Sequence, residues 1–349
     1  MNLWLIIPAP LFGQQENIAQ EDNAAVYYLK AFDLLKYPET KEFADKVKEI
    51  INNGWRDEKE LEKVLIENEE SITEFQKGVS LEKCDFYLGQ KFEYLNKKEP
   101  LPLIKIRRLA NLLLLKGRNY ERQGDFSQAL DMYLSVLTFM RHVTQDNTLI
   151  SRMVAMAIEK MTYPLVKNCL NSKQIDKQQS LKILNYLDDY EKHRFLAQEL
   201  IKSEKEFFIS AMQYTVDHSE ESDTADNEQI KQMKQRIKIC KSEIVKQVRL
   251  LADKYYASLI KAAQTNSQED WDTVEKDWNE LSKETRSVDL LADIFPGEQC
   301  NEAFAKKYVE ILLVITPPMV TYKKAVNLYY ENLKSLQELK SLAKTISGS

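Results

Sequence analysis

The sequence predicts an all-α fold, a multi-helix array of antiparallel helical hairpins, and three observations predict it. Between Gly124 and Gly297 the chain has no glycine at all. Over the same stretch its prolines are Pro164 and Pro296. Apolar residues recur there at steps of three and four, the period of an amphipathic helix. Strands need tight turns, and tight turns draw on glycine for positive φ, so such a stretch favours long helices with short polar links.

The elements follow in order. A first helix is expected over about Asp22 to Lys36, with Ala25, Tyr28, Ala31, Leu34 and Leu35 inward and Pro38 as its stop. Thr40 caps a second helix to Asn53, closed by Gly54. Asp57 opens a third through Phe75, with Leu61, Val64, Leu65, Ile72 and Phe75 on one side. A less regular aromatic stretch holds Cys84, Phe86, Tyr87, Phe92 and Tyr94, until Pro100 and Pro102 reset the chain. Helices over 103–123, 126–143, 147–170 and 177–186 come next.

Two long helices, 187–217 and 228–264, then flank the acidic link Ser219–Asn227. Ile230, Met233, Ile237, Cys240, Ile244, Val248, Leu251, Tyr255, Leu259 and Ala262 make the stripe of the second. Leu187, Tyr190, Arg194, Ala197, Ile201, Glu204, Phe208 and Ala211 make the answering seam of the first. Two matched stripes and a short link predict an antiparallel hairpin. A helix from Asp270 to Arg286, one over Asn301–Thr316 and a last over 319–345 complete the chain, the last entered through Pro317-Pro318. The domain reading is an apolar N-terminus over 1–20, a helical domain over 21–186, and the hairpin with the C-terminal helices over 187–349, packed as one body with the first.

Hydrophobic content of 44% across 349 residues is enough for a sizeable core. A net charge of −5 gives no global attraction for nucleic acid or anionic lipid. Met1–Gly13 is apolar and resembles the core of a secretory signal. It has no basic n-region, and Leu11 stands where a small residue is preferred, so an exported and a cytoplasmic location stay equally open. No other run is long enough to span a bilayer. The four cysteines, Cys84, Cys169, Cys240 and Cys300, form no CxxC and read as buried thiols, with pairing open to an exported chain.

Residues 110–143 carry one recognisable unit. Gly117, Tyr120, Gly124-Asp125-Phe126, Ala129 and Tyr133 fall at the spacings of a tetratricopeptide repeat, which this segment resembles. Gly117 and Ala129 are small where two helices would cross, Tyr120 and Tyr133 fill the gap beside them, and Gly124-Asp125 makes the turn. Leu113 replaces the usual tryptophan and Arg141 the closing proline, and a shift of one repeat length either way destroys the match. Repeats of this kind bind peptides or proteins on the concave face of their first helices. The resemblance places that face at Asn111, Leu114, Arg118, Glu121 and Arg122. The segment Asp22–Tyr28 is also similar to an early segment of all-helical proteins from planctomycete-like bacteria, which brings no activity with it.

Motifs for chemistry are scarce. The three histidines, His142, His193 and His218, form no HExxH and no Glu-x-x-His, so helical zinc and di-iron ligand sets are missing. Asp189 and His193 stand one turn apart and read as a surface pair. Asp188-Asp189 is followed by Lys192, where an aspartate-rich magnesium motif would place another acid. No phosphate-cradling glycine loop and no GxSxG occurs. The reading is therefore a non-enzymatic interaction or scaffold protein, with no catalytic, cofactor or metal residue assigned. Its partner is expected to be another protein or further copies of the same chain. A helical bundle with a buried enzymatic or ligand site, and a self-assembling subunit, remain as alternatives.

Overall fold

A computed structural model describes residues 20–55, 59–87, 101–218, 235–286, 302–314 and 319–348. Among the described residues there are thirteen α-helices and no strand. The apolar N-terminus, Asp57, Phe92, Tyr94, the link Ser219–Asn227, Ile230, Met233, Cys300 and the Pro296-Gly297 and Pro317-Pro318 turns lie outside the described residues. The chain divides into two bodies: one takes the described residues within 15–195 and 328–349, the other those within 196–327.

The first body begins with α1, Ala24–Leu34, capped by the Asn23 side chain on the Ala25 N–H. Asn23 also exchanges hydrogen bonds with the Asp85 backbone, which pins the start of α1 to the segment after α4. Helix α2, Lys41–Asn53, has the expected Thr40 cap, and Gly54 closes it at φ 89°. The single helix expected from Asp57 through Phe75 is instead two, α3 (Lys59–Glu67) and α4 (Glu69–Val79). Asn68 makes the break: its buried amide bonds the backbone N–H and C=O of Lys36 and the carbonyl of Val64. Serving an end of backbone 32 residues away outweighs continuing the helix.

Helices α5 (Leu103–Arg122) and α6 (Phe126–Val143) pack against each other, with Asp125 capping α6 through the Gln128 N–H. Gly117 is required at their crossing: a Cβ there would stand 2.7 Å from Cζ of Tyr133. Gly78 of α4 does the same for Tyr28 of α1, whose Cε1 would lie 2.8 Å from the added carbon. Tyr28 centres an aromatic core, with ring centroids 4.6 Å from Phe139 and 5.7 Å from Phe75. Helix α7 (Leu149–Asn171) is capped by Thr148, and α8 (Lys177–Lys192) carries an Asp176–Gln179 capping box.

The second body holds α9 (Ala197–Asp217), α10 (Lys241–Thr265), α11 (Gln268–Arg286) and α12 (Glu302–Val314). Cross-helix pairs Gln198–Gln264, Lys205–Asp253 and Asp217–Lys241 run in opposite numerical order, so α9 and α10 are antiparallel. The first arm is shorter than the seam predicts, because the chain leaves the helix at 193–196. Leu187, Tyr190 and Arg194 belong to the first body, where Arg194 and Phe195 have partners described below. Glu199 then restarts the helix by accepting the Leu196 N–H. The second arm is interrupted by a turn at Cys240, between helical residues 235–239 and α10. Cys84 and Cys169 are buried free thiols, whereas Cys240 is disulfide-bonded to a partner outside the described residues. The last helix, α13 (Met319–Ser347), belongs to the second body up to Asn327 and to the first from Leu328.

Candidate functional site

The five residues expected to face a partner do lie along one strip of α5, and all but the exposed Arg122 are covered or half-covered from within the first body. Leu114 is fully buried in the core. Arg118 turns its guanidinium onto the carbonyl of Ile51, at 2.6 Å from Nη2 and 3.0 Å from Nε. That carbonyl belongs to the last turn of α2 and has no partner within its own helix, so the cation completes the helix end. The remaining Arg118 nitrogen, Nη1, bonds Glu121 at 2.6 Å. Glu121 also accepts the Tyr133 hydroxyl at 2.9 Å. Burial, with the Glu121 charge beside it, holds the Tyr133 phenol far above its ordinary range.

Arg122 reaches Glu62 of α3 at 2.6 Å, and its guanidinium lies 5.3 Å above the Trp55 ring. Asn111 is half-buried beside the Tyr37 phenol. Arg118, Glu121 and Arg122 thus join α5 to the helices before and after it. The face that a repeat would open to a peptide is here occupied by α2 and α3.

A second polar constellation in the first body has no sequence motif. Glu159 of α7 and Arg194 are both sealed from solvent, at 2% and 3% side-chain exposure, and pair at 2.7 Å. The other carboxylate oxygen accepts the Tyr190 hydroxyl at 2.5 Å, and Asn332 of α13 donates to the shared oxygen at 3.0 Å. Asn332 also donates to the carbonyl of Met156. Arg152 and Arg194 flank the Phe195 ring at 4.8 and 5.9 Å, and Arg194 lies 4.9 Å from the Tyr329 ring. The Glu159 carboxylate is both paired and hydrogen-bonded. Nε and Nη1 of Arg194, by contrast, are buried with no hydrogen-bond partner among the described residues, and the guanidinium lies against the Phe195 and Tyr329 rings instead. The sequence trace of this constellation is Tyr190 and Arg194, which stand together in the seam read from the sequence.

The histidines and the aspartate pair are engaged separately. His142 is fully buried and shares a 2.8 Å hydrogen bond through Nδ1 with the Tyr28 hydroxyl. Burial, helped by Arg141, pushes it down to about 4, so it is neutral at physiological pH. His193 forms an exposed pair with Asp189 at 3.0 Å, and Arg141 meets the same aspartate. Asp188 goes to Lys340, 2.6 Å away. His218 stacks on Tyr214. Among the described residues no group of three or more His, Cys, Asp or Glu is placed to hold a metal ion. No helix among them is long and apolar enough to cross a membrane. A shallow depression on α11 is lined by Asp272, Glu275, Lys276, Asn279 and Glu280, all along one helix.

No family model, no curated protein and no solved structure matches the chain.

Proposed function

We propose that this is a non-enzymatic interaction or scaffold protein, with a tetratricopeptide-like helix pair at residues 110–143. The single observation that carries the reading is what the first body leaves outside. Ile66, Ile104 and Ile150 are 71%, 68% and 61% exposed on α3, α5 and α7. Burying such a side chain is worth about 1.5–3 kcal/mol, so three left in water are surfaces a partner would gain by covering. The interior charges of the same body are spent on packing, as Arg118 on Ile51 and Arg194 on Glu159 show. The docking surface is therefore assigned to the exposed isoleucines and not to the Arg118 face.

The test is affinity capture from native extract with the wild-type chain beside Ile66→Glu/Ile104→Glu/Ile150→Glu. The reading expects a defined set of proteins, or the chain itself, on the wild type and its loss from the triple variant at unchanged helicity and melting temperature. Equal capture by both, or none by either, refutes it. Charge reversal at Arg118 would not serve, because it would strip the end of α2 and mix folding with binding.

A further inference from the structure

The second body contains one carboxylate whose surroundings differ from every pairing described above. Glu204 stands on α9 one turn before Phe208, hence on the same face of the helix. Phe208 is buried with its ring 6.2 Å from Tyr256 of α10. Tyr256 in turn lies 6.3 Å from Tyr322 of α13, and their hydroxyls are 3.4 Å apart. Both tyrosines are fully buried, and the Glu204 charge acts on both phenols. Tyr255 beside them packs on Trp278 of α11 at 5.4 Å.

Glu204 itself is half-buried and has no hydrogen bond or ion pair among the described residues. Several cations on the surrounding elements have partners of their own. Lys205 pairs with Asp253, Lys241 with Asp217 and Lys261 with Asp270. Lys323 of α13 lies over Trp271, and Lys306 and Lys307 of α12 meet Glu310. The Tyr256 and Tyr322 phenols, on which the Glu204 charge acts, are kept neutral by burial. An anion set against neutral rings without a counter-charge opposes the packing that holds it there.

We propose that Glu204 is a proton-operated lock on the second body: protonated, it lets α9 seat on α10, and ionised, it drives that packing open. Burial raises its carboxyl from 4.5 to about 7. The folded state therefore holds the proton more tightly than the unfolded chain. The seated arrangement is fully favoured below pH 4.5 and loses its advantage as pH rises to about 7. Each pH step of one across that window shifts the equilibrium by about tenfold, so the whole span amounts to about three-hundredfold.

Amide hydrogen exchange on the full-length chain tests this, with rates corrected for the intrinsic pH dependence. In the wild type, protection across 197–217 and 241–265 should fall about a hundredfold between pH 5 and pH 8. Glu204→Gln should abolish that slope, while Glu206→Gln, an exposed neighbour, should keep it. A wild type without the slope, or Glu204→Gln with it, overturns the proposal. Should Glu204→Gln fail to fold, carbon-detected NMR of the wild-type glutamate carboxyls decides. A Glu204 carboxyl titrating near 4.5 refutes the lock, and one titrating near 7 sustains it.

Discussion

The two bodies handle interior charge and close helix approach by different means. In the first, opposite charges are sealed in together: Arg118 with Glu121, and Arg194 with Glu159. In the second, Glu310 is paired with the more exposed Lys306 and Lys307, and Glu204, on the face of α9 that carries the buried Phe208, has no counter-ion among the described residues. Helices of the first body approach over glycine, at Gly117 and Gly78. The second, over its part of the glycine-free stretch, buries Ala211, Ala252, Ala262 and Ala263 among its helices instead. The contrast teaches that a paired interior costs geometry, since glycine and exact partners must coincide, whereas an unpaired one costs dependence on pH.

The largest effect should come from making the first body resemble the second. Arg194→Ala leaves the Glu159 carboxylate buried without its cation and should destabilise that body by about 3–5 kcal/mol, read by urea unfolding. Glu159→Leu/Arg194→Leu together should recover a large part of the loss, since two apolar side chains leave no charge stranded.

Next comes a compensation that single groups conceal. His142, pushed down to about 4, favours folding above its unfolded value of 6.5 and withdraws that support as pH falls to about 4. Asp146 is raised by burial from 3.8 to about 6, against the hydrogen bonds it accepts from Thr148 and Ser151. Its contribution runs the other way and is recovered as pH falls from 6 to 3.8. The two offset each other. Asp146→Asn should expose the histidine alone, and the variant should lose about 2 kcal/mol more than wild type between pH 7 and pH 4.5. Circular dichroism melts at the two pH values measure it, and a variant that tracks wild type removes the compensation.

The glycine contrast predicts a smaller pair of effects, in which opposite substitutions both destabilise. Gly117→Ala should cost about 1–3 kcal/mol through overlap with the Tyr133 ring. Ala252→Gly, in α10, should cost about 1 kcal/mol for the opposite reason, the added freedom of the unfolded backbone. If alanine at 117 were neutral, the close-approach account of the α5–α6 crossing would fall. Smallest of all, Glu331→Gln should cost under about 1 kcal/mol, because its pair with Lys160 is solvated on both sides.

Much of the fold was legible in the sequence. The glycine gap, the Thr40 and Gly54 boundaries of α2, and the helix over 126–143 needed only local chemistry. The Asn68 break did not show, since Leu61, Val64, Leu65, Ile72 and Phe75 keep helical spacing across it and its cause is the backbone of Lys36. The strip of five residues on α5 was readable as a face. What covers it was not, because Ile51 and Glu62 come from helices folded back over α5. Glu159 and Arg194 were invisible for the same reason: a pair 35 residues apart follows no period.

The guanidinium laid over Trp55 has a use of its own. Among the described residues Trp55 is the one indole of the first body, while Trp271 and Trp278 belong to the second. A chain with Trp4, Trp271 and Trp278 replaced by phenylalanine would emit from a single site whose brightness follows the Arg122 clamp between α5 and α3. The reciprocal Trp55→Phe chain would silence that site. Together they turn one molecule into two colour-matched probes, each able to time the loosening of its own body.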